Sequence, residues 1–342
     1  MEHSEFHGAE SELLDYQGRS YLHCPSEQRQ RGKGKGRCFV PQRRLCQFVG
    51  HKDGVNAIAF LPRSGHLLLS ASNDATCKIW SVFGERKCLR TFSGHGAGVR
   101  NVCFNKTGSR FLTTSYDRWL KLWDTERGTV IWRGSSGVMP FSATFYPENE
   151  GQFVCGQKNK MAVQWDTVSN RMVQKYDEHL SAVNDVLFID DNRRFVTTSD
   201  DKKMFIWDYG TPVVIKHISE PHLHSVPVLA LHPHTACFLG QSMDNKIVTY
   251  SARGKIGRRN DRKTFEGHLT AGYAAQIDVS HDGNLVLSGD ASGKCYFWDW
   301  KTQRILHKMQ CHKKVTMAAT WHPTHSSMIA TASWDATIAL WA

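Results

Sequence analysis

The chain has 342 residues, of which 40% are hydrophobic, and its 43 Lys and Arg against 32 Asp and Glu give a formal net charge of +11. A chain of this length can bury about three quarters of its unfolded surface, and the basic balance indicates anionic surroundings such as nucleic acid. We expect neither secretion nor a membrane span, since the sequence has no signal-like apolar region and no run of 18 apolar residues.

The ten cysteines are scattered along the chain and form no Cys-x-x-Cys pair and no Cys/His cluster with the spacing of metal ligands. In predicted strands a free thiol acts as a small apolar side chain. We therefore expect reduced cysteines in an intracellular protein. The sequence has no metal-ligand cluster and no phosphate-binding Gly loop before a helix, so we expect no metal, no cofactor and no small-molecule substrate.

The first 44 residues form a segment that is too short to build a core. Residues 1–27 hold six acidic side chains and one Arg, with apolar residues spread among them. We predict that residues 1–44 form an extended segment that orders on contact with a partner, and a featureless tail is the alternative. The candidate partner-binding residues of this segment are Phe6, Tyr16, Arg19 and Tyr21.

Residues 28–44 carry seven basic side chains and no acidic one, and Gly alternates with Lys in part of this stretch. A flexible basic linker suits contact with phosphates without base readout, although a charge run that only aids solubility is as good an interpretation. The candidate RNA-proximal residues here are Arg29, Arg31, Lys33, Lys35 and Arg37.

From residue 45 onward the sequence repeats with a period of 42 to 48 residues. Each unit ends on an aromatic residue, and most units carry a His 26 to 30 positions earlier; the closing aromatics are Trp80, Trp123, Trp165, Trp207, Tyr250, Trp298 and Trp341. Gly and Asp/Asn turn signals separate short β-branched and aromatic runs, which predicts strands. The pattern resembles the WD-repeat family, in which each unit forms one four-stranded blade.

The resemblance implies an all-β fold, a seven-bladed WD-repeat β-propeller over residues 45–342. The last unit stops at its closing aromatic and lacks an outer strand, whereas residues 45–49 have the form of an outer strand with no unit before them. We therefore predict that residues 45–49 close the last blade, which removes two open sheet edges.

Five units place Ser eight residues and Asp six residues before the closing aromatic. Together with the upstream His, these are the residue types of a hydrolase triad. A catalytic site has no reason to recur five times, so we favour a buried hydrogen-bond network. The WD-repeat resemblance implies bonds from Asp to His, from His to Ser and from Ser to the Trp indole. The predicted network residues are His51, Ser72, Asp74, Trp80, His95, Ser115, Asp117, Trp123, His179, Ser199, Asp201, Trp207, His312, Ser333, Asp335 and Trp341.

Other residues of the repeats are candidates for contact with partners. The turns that carry the network Asp residues also hold Tyr116, Arg118, Trp119 and Trp334, residue types enriched at binding hot spots, although blade packing explains the two Trp equally well. The stretch "RGKIGRRNDRK" falls within the longest repeat, which makes Arg258 and Arg259 further RNA-proximal candidates.

Several stretches go beyond the generic repeat, among them "DYQGRSYLH", "VFGERKCLRTFSGH", "YDRWLKLWDTERG" and "AGYAAQIDVSHDGNLVLSGD". They resemble the branch of the WD-repeat family formed by second-step splicing factors. The resemblance implies a nuclear, non-catalytic scaffold of the spliceosome in exon ligation, with spliceosomal proteins as partners and snRNA or pre-mRNA backbone as a further one. A WD-repeat substrate receptor of a ubiquitin ligase and a histone- or peptide-binding propeller are the alternatives, and an enzyme is the least favoured.

Overall fold

The structure is a computed structural model that describes residues 2–7, 20–24, 36–219 and 223–342. Within these ranges it contains 29 strands and no helix. Two strands precede the repeats, β1 (His3–Phe6) and β2 (Arg44–Val49). The remaining strands form seven antiparallel sheets in which neighbouring strands follow each other in the chain.

Each sheet is one blade, and its first strand lies nearest the central axis. Blade 1 contains β3 (Val55–Phe60), β4 (Leu67–Ser72), β5 (Thr76–Ser81) and β6 (Cys88–Ser93). Blade 2 contains β7 (Val99–Phe104), β8 (Arg110–Ser115), β9 (Leu120–Asp124) and β10 (Val130–Gly134). Blade 3 contains β11 (Pro140–Tyr146), β12 (Asn149–Gln157), β13 (Ala162–Asp166) and β14 (Arg171–Tyr176).

The second half of the ring repeats this order. Blade 4 contains β15 (Val183–Ile189), β16 (Arg194–Ser199), β17 (Met204–Asp208) and β18 (Val214–Ile218). Blade 5 contains β19 (Val228–Leu231), β20 (Cys237–Ser242), β21 (Lys246–Ser251) and β22 (Arg259–Glu266). Blade 6 contains β23 (Ile277–Val279), β24 (Leu285–Gly289), β25 (Lys294–Asp299) and β26 (Ile305–Gln310). Blade 7 contains β27 (Thr316–Trp321), β28 (Ile329–Ser333) and β29 (Thr337–Trp341).

The outer strand of blade 7 comes from the start of the repeat region. Strand β2 pairs antiparallel with β29, and Phe48 lies opposite Ile338. The inner strands contact one another around the whole ring, including β27 with β3. This closed ring of four-stranded blades confirms the predicted all-β, seven-bladed propeller.

The core is divided into seven clusters, one at each boundary between neighbouring blades. Between blades 1 and 2, for example, the fully buried Phe92, Phe111 and Trp123 pack edge-on or stacked with ring centres 4.9 to 6.1 Å apart. Aromatic pairs at such distances contribute beyond the area they bury. Each closing aromatic therefore helps to hold its blade against a neighbour.

Blade 1 has a fifth strand, which the sequence did not predict. Strand β1 pairs antiparallel with β6, so that His3 lies opposite Ser93 and Phe6 opposite Arg90. An outer strand presents unpaired backbone N–H and C=O groups, and β1 satisfies them. The first residues of the chain thus belong to the sheet of blade 1.

Candidate functional site

Blades 1, 2, 4 and 7 each contain a buried hydrogen-bond network at one end of the ring, which we call the upper face. In blade 1, His51 Nδ1 lies 2.8 Å from the Asp74 carboxylate, and His51 Nε2 lies 2.7 Å from Ser70 Oγ. The Trp80 indole donates to the same hydroxyl at 2.9 Å. Blades 2 and 4 repeat this with the sets Asp117–His95–Thr113–Trp123 and Asp201–His179–Thr197–Trp207. Blade 7 has the set Asp335–His312–Thr331–Trp341, in which His312 Nδ1 lies 3.0 Å from Thr337 Oγ1 and 3.3 Å from the Asp335 carboxylate.

The hydroxyl in each network is not the one that we predicted from the sequence. It stands ten residues before the Trp, as Ser70, Thr113, Thr197 or Thr331, rather than eight. Successive side chains of a strand point to opposite faces, so residues two apart share a face. The alternation of side chains therefore does not distinguish the position eight residues before the Trp from the position ten residues before it. The predicted hydroxyls Ser72, Ser115, Ser199 and Ser333 instead accept from the backbone N–H of the turn Asp two residues on.

The electrostatics of these networks fit a structural role. Burial would raise the pKa of Asp117, but the hydrogen bond and the charge of His95 outweigh it and lower this pKa to about 2. The Asp117 carboxylate also accepts from the backbone of Gly96 and Trp119, at 2.9 Å each. The carboxylate thus joins the turn of its own blade to the loop that enters the blade.

Blade 3 lacks this network. Cys155 stands in the position of the hydroxyl, and no imidazole reaches the blade within the described residues. As a result the buried Trp165 Nε1, Gln157 Oε1 and Asn159 Oδ1 have no hydrogen-bond partner among the described residues.

Blades 5 and 6 also depart from the pattern. In blade 5, His224 is exposed and the closing aromatic is Tyr250. In blade 6, His268 lies 2.6 Å from the Gln241 amide of blade 5, and Ser288 donates to the other end of that amide at 3.3 Å. The side chain of Gln241 therefore bridges two blades.

A cavity of about 570 Å³ runs along the axis of the ring. Five inner strands have a β-bulge near their start, and the extra residue of each bulge lines this cavity: Asn56, Arg100, Phe141, Asn184 and Met317. A bulge redirects a side chain at the point where strict pairing stops. No signal in the sequence identifies these residues, because a bulge leaves no mark on the strand pattern.

Two side chains of opposite charge type, Arg100 and Asp185, line this cavity. The guanidinium of Arg100 stacks 3.8 Å from the ring centre of Phe141. Asp185 accepts from Leu229 N of the next blade at 2.8 Å, and loss of solvent raises its pKa to about 6. Asp185 therefore links blade 4 to blade 5 at the wall of the cavity.

The structure brings two of the predicted partner residues of the ring to this cavity. Tyr116 and Trp334 both line it. Tyr116 exposes 39% of its surface, whereas Trp334 donates to Asn56 Oδ1 at 2.9 Å and is half-buried.

Arg118 and Trp119 lie on the same turn as Tyr116 but outside the cavity. Trp119 exposes 41% of its surface, and the Arg133 guanidinium lies 5.9 Å from its ring centre. The upper edge of blade 2 thus carries exposed aromatic and basic side chains close together.

The predicted partner residues of the N-terminal segment have another role where the structure describes them. The Arg90 guanidinium lies 5.5 Å from the ring centre of Phe6 and 5.7 Å from that of Tyr21. The Tyr21 hydroxyl donates to the carbonyl of Thr125. Phe6 and Tyr21 therefore contact the chain's own blades 1 and 2. The outer edge of blade 1 is open, and the N-terminal segment pairs with it. The candidates Tyr16, Arg19, Arg29, Arg31, Lys33 and Lys35 lie outside the described residues.

The remaining basic candidates, Arg37, Arg258 and Arg259, lie at the end of the ring opposite the networks, which we call the lower face. Among the described residues, no group of three or more His, Cys, Asp or Glu side chains could hold a metal ion. In those same ranges, no helix has the length and apolarity that crossing a bilayer requires.

The closed ring, the repeated Asp–His–hydroxyl–Trp networks and the inter-blade aromatic core define a WD-type β-propeller. The family model described as "WD domain, G-beta repeat" matches residues 42–81, 86–124, 170–208, 259–299 and 303–342. The first three strands of blades 3 and 5 fall outside these matches, and these blades lack the network.

Comparison with known sequences identifies the family of WD-repeat proteins to which the chain belongs. The chain is 46% identical to "Pre-mRNA-processing factor 17" of Homo sapiens over 96% of its length and 58% of the human protein. It is 36% identical to the protein of that name in Saccharomyces cerevisiae, over 95% of the chain and 72% of the yeast protein. "WD repeat-containing protein 25" of Mus musculus is 30% identical over 88% of the chain. The chain therefore belongs to the pre-mRNA-processing factor 17 family of WD-repeat proteins.

Proposed function

We propose that this chain is a non-catalytic component of the spliceosome, located in the nucleus, which acts as a protein-binding scaffold in the exon-ligation step. The observation that carries the proposal is the 46% identity to human pre-mRNA-processing factor 17 along 96% of the chain. The chain spans 58% of that human protein, so the proposal concerns the propeller and the residues joined to it.

The internal bonding of the networks supports a role without catalysis. A catalytic His needs one ring nitrogen that can reach a substrate. In blade 2, His95 Nδ1 is held by Asp117 and Nε2 by Thr113, and the imidazole is buried. Both nitrogens are therefore committed to the fold.

The upper edge of blade 2 is the surface that we propose for a protein partner. Tyr116 and Trp119 are exposed there, beside Arg118 and Arg133. Aromatic and Arg side chains supply most of the binding energy at many interfaces. Trp334 contributes less, because its indole is already bonded to Asn56.

Affinity purification from nuclear extract tests this proposal. The tagged chain is expected to recover snRNAs and splicing proteins, whereas cullin adaptors or nucleosomes in their place would overturn it. A variant with Tyr116→Ala and Trp119→Ala should recover at least tenfold less of the splicing proteins. Ile131→Ala, which changes an exposed residue on the outer strand of the same blade, is the matched control and should recover the normal amount.

RNA is the second partner that we propose, with Arg37 and Arg258 nearest to it and with a smaller part for Arg259, which pairs with Asp261. The support is electrostatic: residues 253–263 hold six basic side chains and one acidic one. Phosphate contacts from Lys and Arg provide affinity without sequence readout.

A further inference from the structure

Basic side chains from two parts of the chain that are more than 200 residues apart in the sequence lie on the lower face of neighbouring blades. One is Arg37, next to the Cys38 that is bonded to blade 6, and the others lie in the connection from β21 to β22 and at the start of β22. We call the five exposed or half-exposed cations involved the lower basic rim: Arg37, Lys255, Arg258, Arg262 and Lys263.

A continuous line of contacts joins the two segments across blades 5 and 6. Lys263 Nζ of blade 5 lies 3.8 Å from the ring centre of Trp300 in blade 6. The backbone of Trp300 donates to Asn284 O at 2.8 Å, and the Asn284 amide donates to Asp282 at 2.8 Å. The same Asp282 carboxylate accepts from Cys38 N at 2.7 Å, which fixes the residue after Arg37.

The blade 5 part of the rim protrudes because the outer strand contains extra residues. In β22, Arg259 pairs with Tyr250 and Thr264 pairs with Val248, so residues 260–263 lie opposite Thr249 alone. This bulge contributes to the longest repeat spacing. Arg262 and Lys263 are therefore pushed out of the regular edge of the sheet.

The loop before β22 is held in one conformation. Lys216 of blade 4 donates to Ile256 O at 2.8 Å, and Ile256 packs into the core between blades 4 and 5. Gly257 has a φ of +69° and approaches Ile206 and Ile218 so closely that a Cβ would lie 2.7 to 2.8 Å from their side chains. Lys255 and Arg258 on either side of it are exposed.

Acidic neighbours neutralise only part of this surface. Arg253 pairs with Asp191 and Arg259 pairs with Asp261. Lys255, Arg258 and Arg262 form no ion pair with an acidic side chain of the described residues. Phe39, two residues after Arg37, exposes 59% of its surface on this face.

We propose that the lower basic rim binds the phosphate backbone of single-stranded RNA, with Phe39 as a stacking surface for one base. The inference rests on the proposed function for the origin of the RNA, but the binding itself is a property of the isolated chain. Cations that follow a backbone, combined with an exposed aromatic ring, are the features by which proteins hold single strands. An acidic polypeptide such as poly-glutamate offers carboxylates to the cations but no base to stack on Phe39.

Fluorescence anisotropy with a labelled 20-nucleotide uridine RNA tests the proposal on the purified full chain. The variant Lys255→Glu/Arg258→Glu/Arg262→Glu should bind about 100-fold more weakly at 0.1 M salt, because each lost phosphate contact removes about a fivefold factor. The slope of log Kobs against log salt concentration should fall in magnitude by about 2. Arg37→Glu and Phe39→Ala should each weaken binding severalfold, since both belong to the same surface.

The matched control is Lys52→Glu/Lys106→Glu/Lys158→Glu, which makes the same change in net charge at exposed positions elsewhere on the ring. Equal weakening by this control would overturn the proposal, as would normal RNA binding by the rim variant. Equally tight binding of a labelled poly-glutamate of the same length would also overturn it. A rim variant that loses RNA binding but still recovers splicing proteins from extract separates the two proposals, and a wild-type chain that binds no RNA overturns this one alone.

Discussion

The position of the hydroxyl in the buried networks can be tested in blade 2 with the substitution Thr113→Val. Valine keeps the shape of threonine and removes only the oxygen. That oxygen lies 2.7 Å from His95 Nε2 and 3.1 Å from Trp123 Nε1, and it is fully buried. Because Asp117 accepts from His95 Nδ1, the other ring nitrogen accepts from the hydroxyl, which in turn accepts from the indole.

The magnitude follows from the two groups that Thr113→Val leaves behind. An acceptor on His95 and a donor on Trp123 would both be buried without partners, and each such group costs about 1 to 3 kcal/mol. We therefore expect the free energy of unfolding to fall by about 3 to 4 kcal/mol. Little of this loss comes from packing, because the volume of the side chain is unchanged.

Guanidinium unfolding followed by tryptophan fluorescence measures the effect as a shift in midpoint at constant slope. Thr114→Val is the matched control: Thr114 is the adjacent, equally buried residue, and its hydroxyl only donates to Phe141 O at 3.5 Å. It should cost less than about 1 kcal/mol. The reasoning is refuted if Thr113→Val costs no more than Thr114→Val, or if Ser115→Ala costs more than Thr113→Val.

Three further predictions concern the stability of the ring. Burial lowers the pKa of His268 to about 4 and that of His322 to about 3. As the pH falls, these two side chains are therefore protonated in the unfolded state before they are protonated in the folded state, and between pH 7 and pH 5 each should lower the free energy of unfolding by about 2 kcal/mol. Urea midpoints that do not fall over this pH range would contradict this prediction. Removing residues 1–24 uncovers the edge of β6 and should cost about 3 kcal/mol, seen as a lower melting temperature; an unchanged melting temperature would mean that the segment does not support the ring. Phe48→Ala in the closing strand should cost about 3 to 5 kcal/mol in denaturant unfolding, whereas the control Val49→Ala, at an exposed position, should stay within about 0.5 kcal/mol.

The sequence predicts the ring because each blade repeats the same physical solution. A closing aromatic, a turn Asp and an upstream His recur at nearly constant spacing, as in Trp123, Asp117 and His95. These residues occupy fixed places in a blade, so each period of the sequence corresponds to one blade that packs against the next. The closing strand is predictable for the same reason: in a closed ring every outer strand belongs to a blade, so residues 45–49 must complete the blade that lacks one.

The sequence did not predict features that depend on pairing between distant residues. The bulge that turns Arg100 into the axial cavity looks like ordinary strand sequence, and the bridge of Gln241 to blade 6 exists only because two blades are adjacent. The local sequence around Phe6 and Tyr21 predicts contact with an outside partner, because nothing in it shows that the edge of β6 is open to them. Each of these contacts is set by tertiary proximity rather than by local pattern.

The repeat also limits where residues that bind partners can lie on this fold. Residues that recur in every complete blade, such as His95 and Asp117, are needed for folding and carry no information about partners. Residues found in one blade alone, such as Trp119 and the extra residues of β22, are not required by the repeat itself. In a molecule built from seven copies of one unit, the departures from the repeat are therefore the positions where binding specificity can be encoded, and the upper edge of blade 2 and the lower basic rim are two such departures on opposite faces.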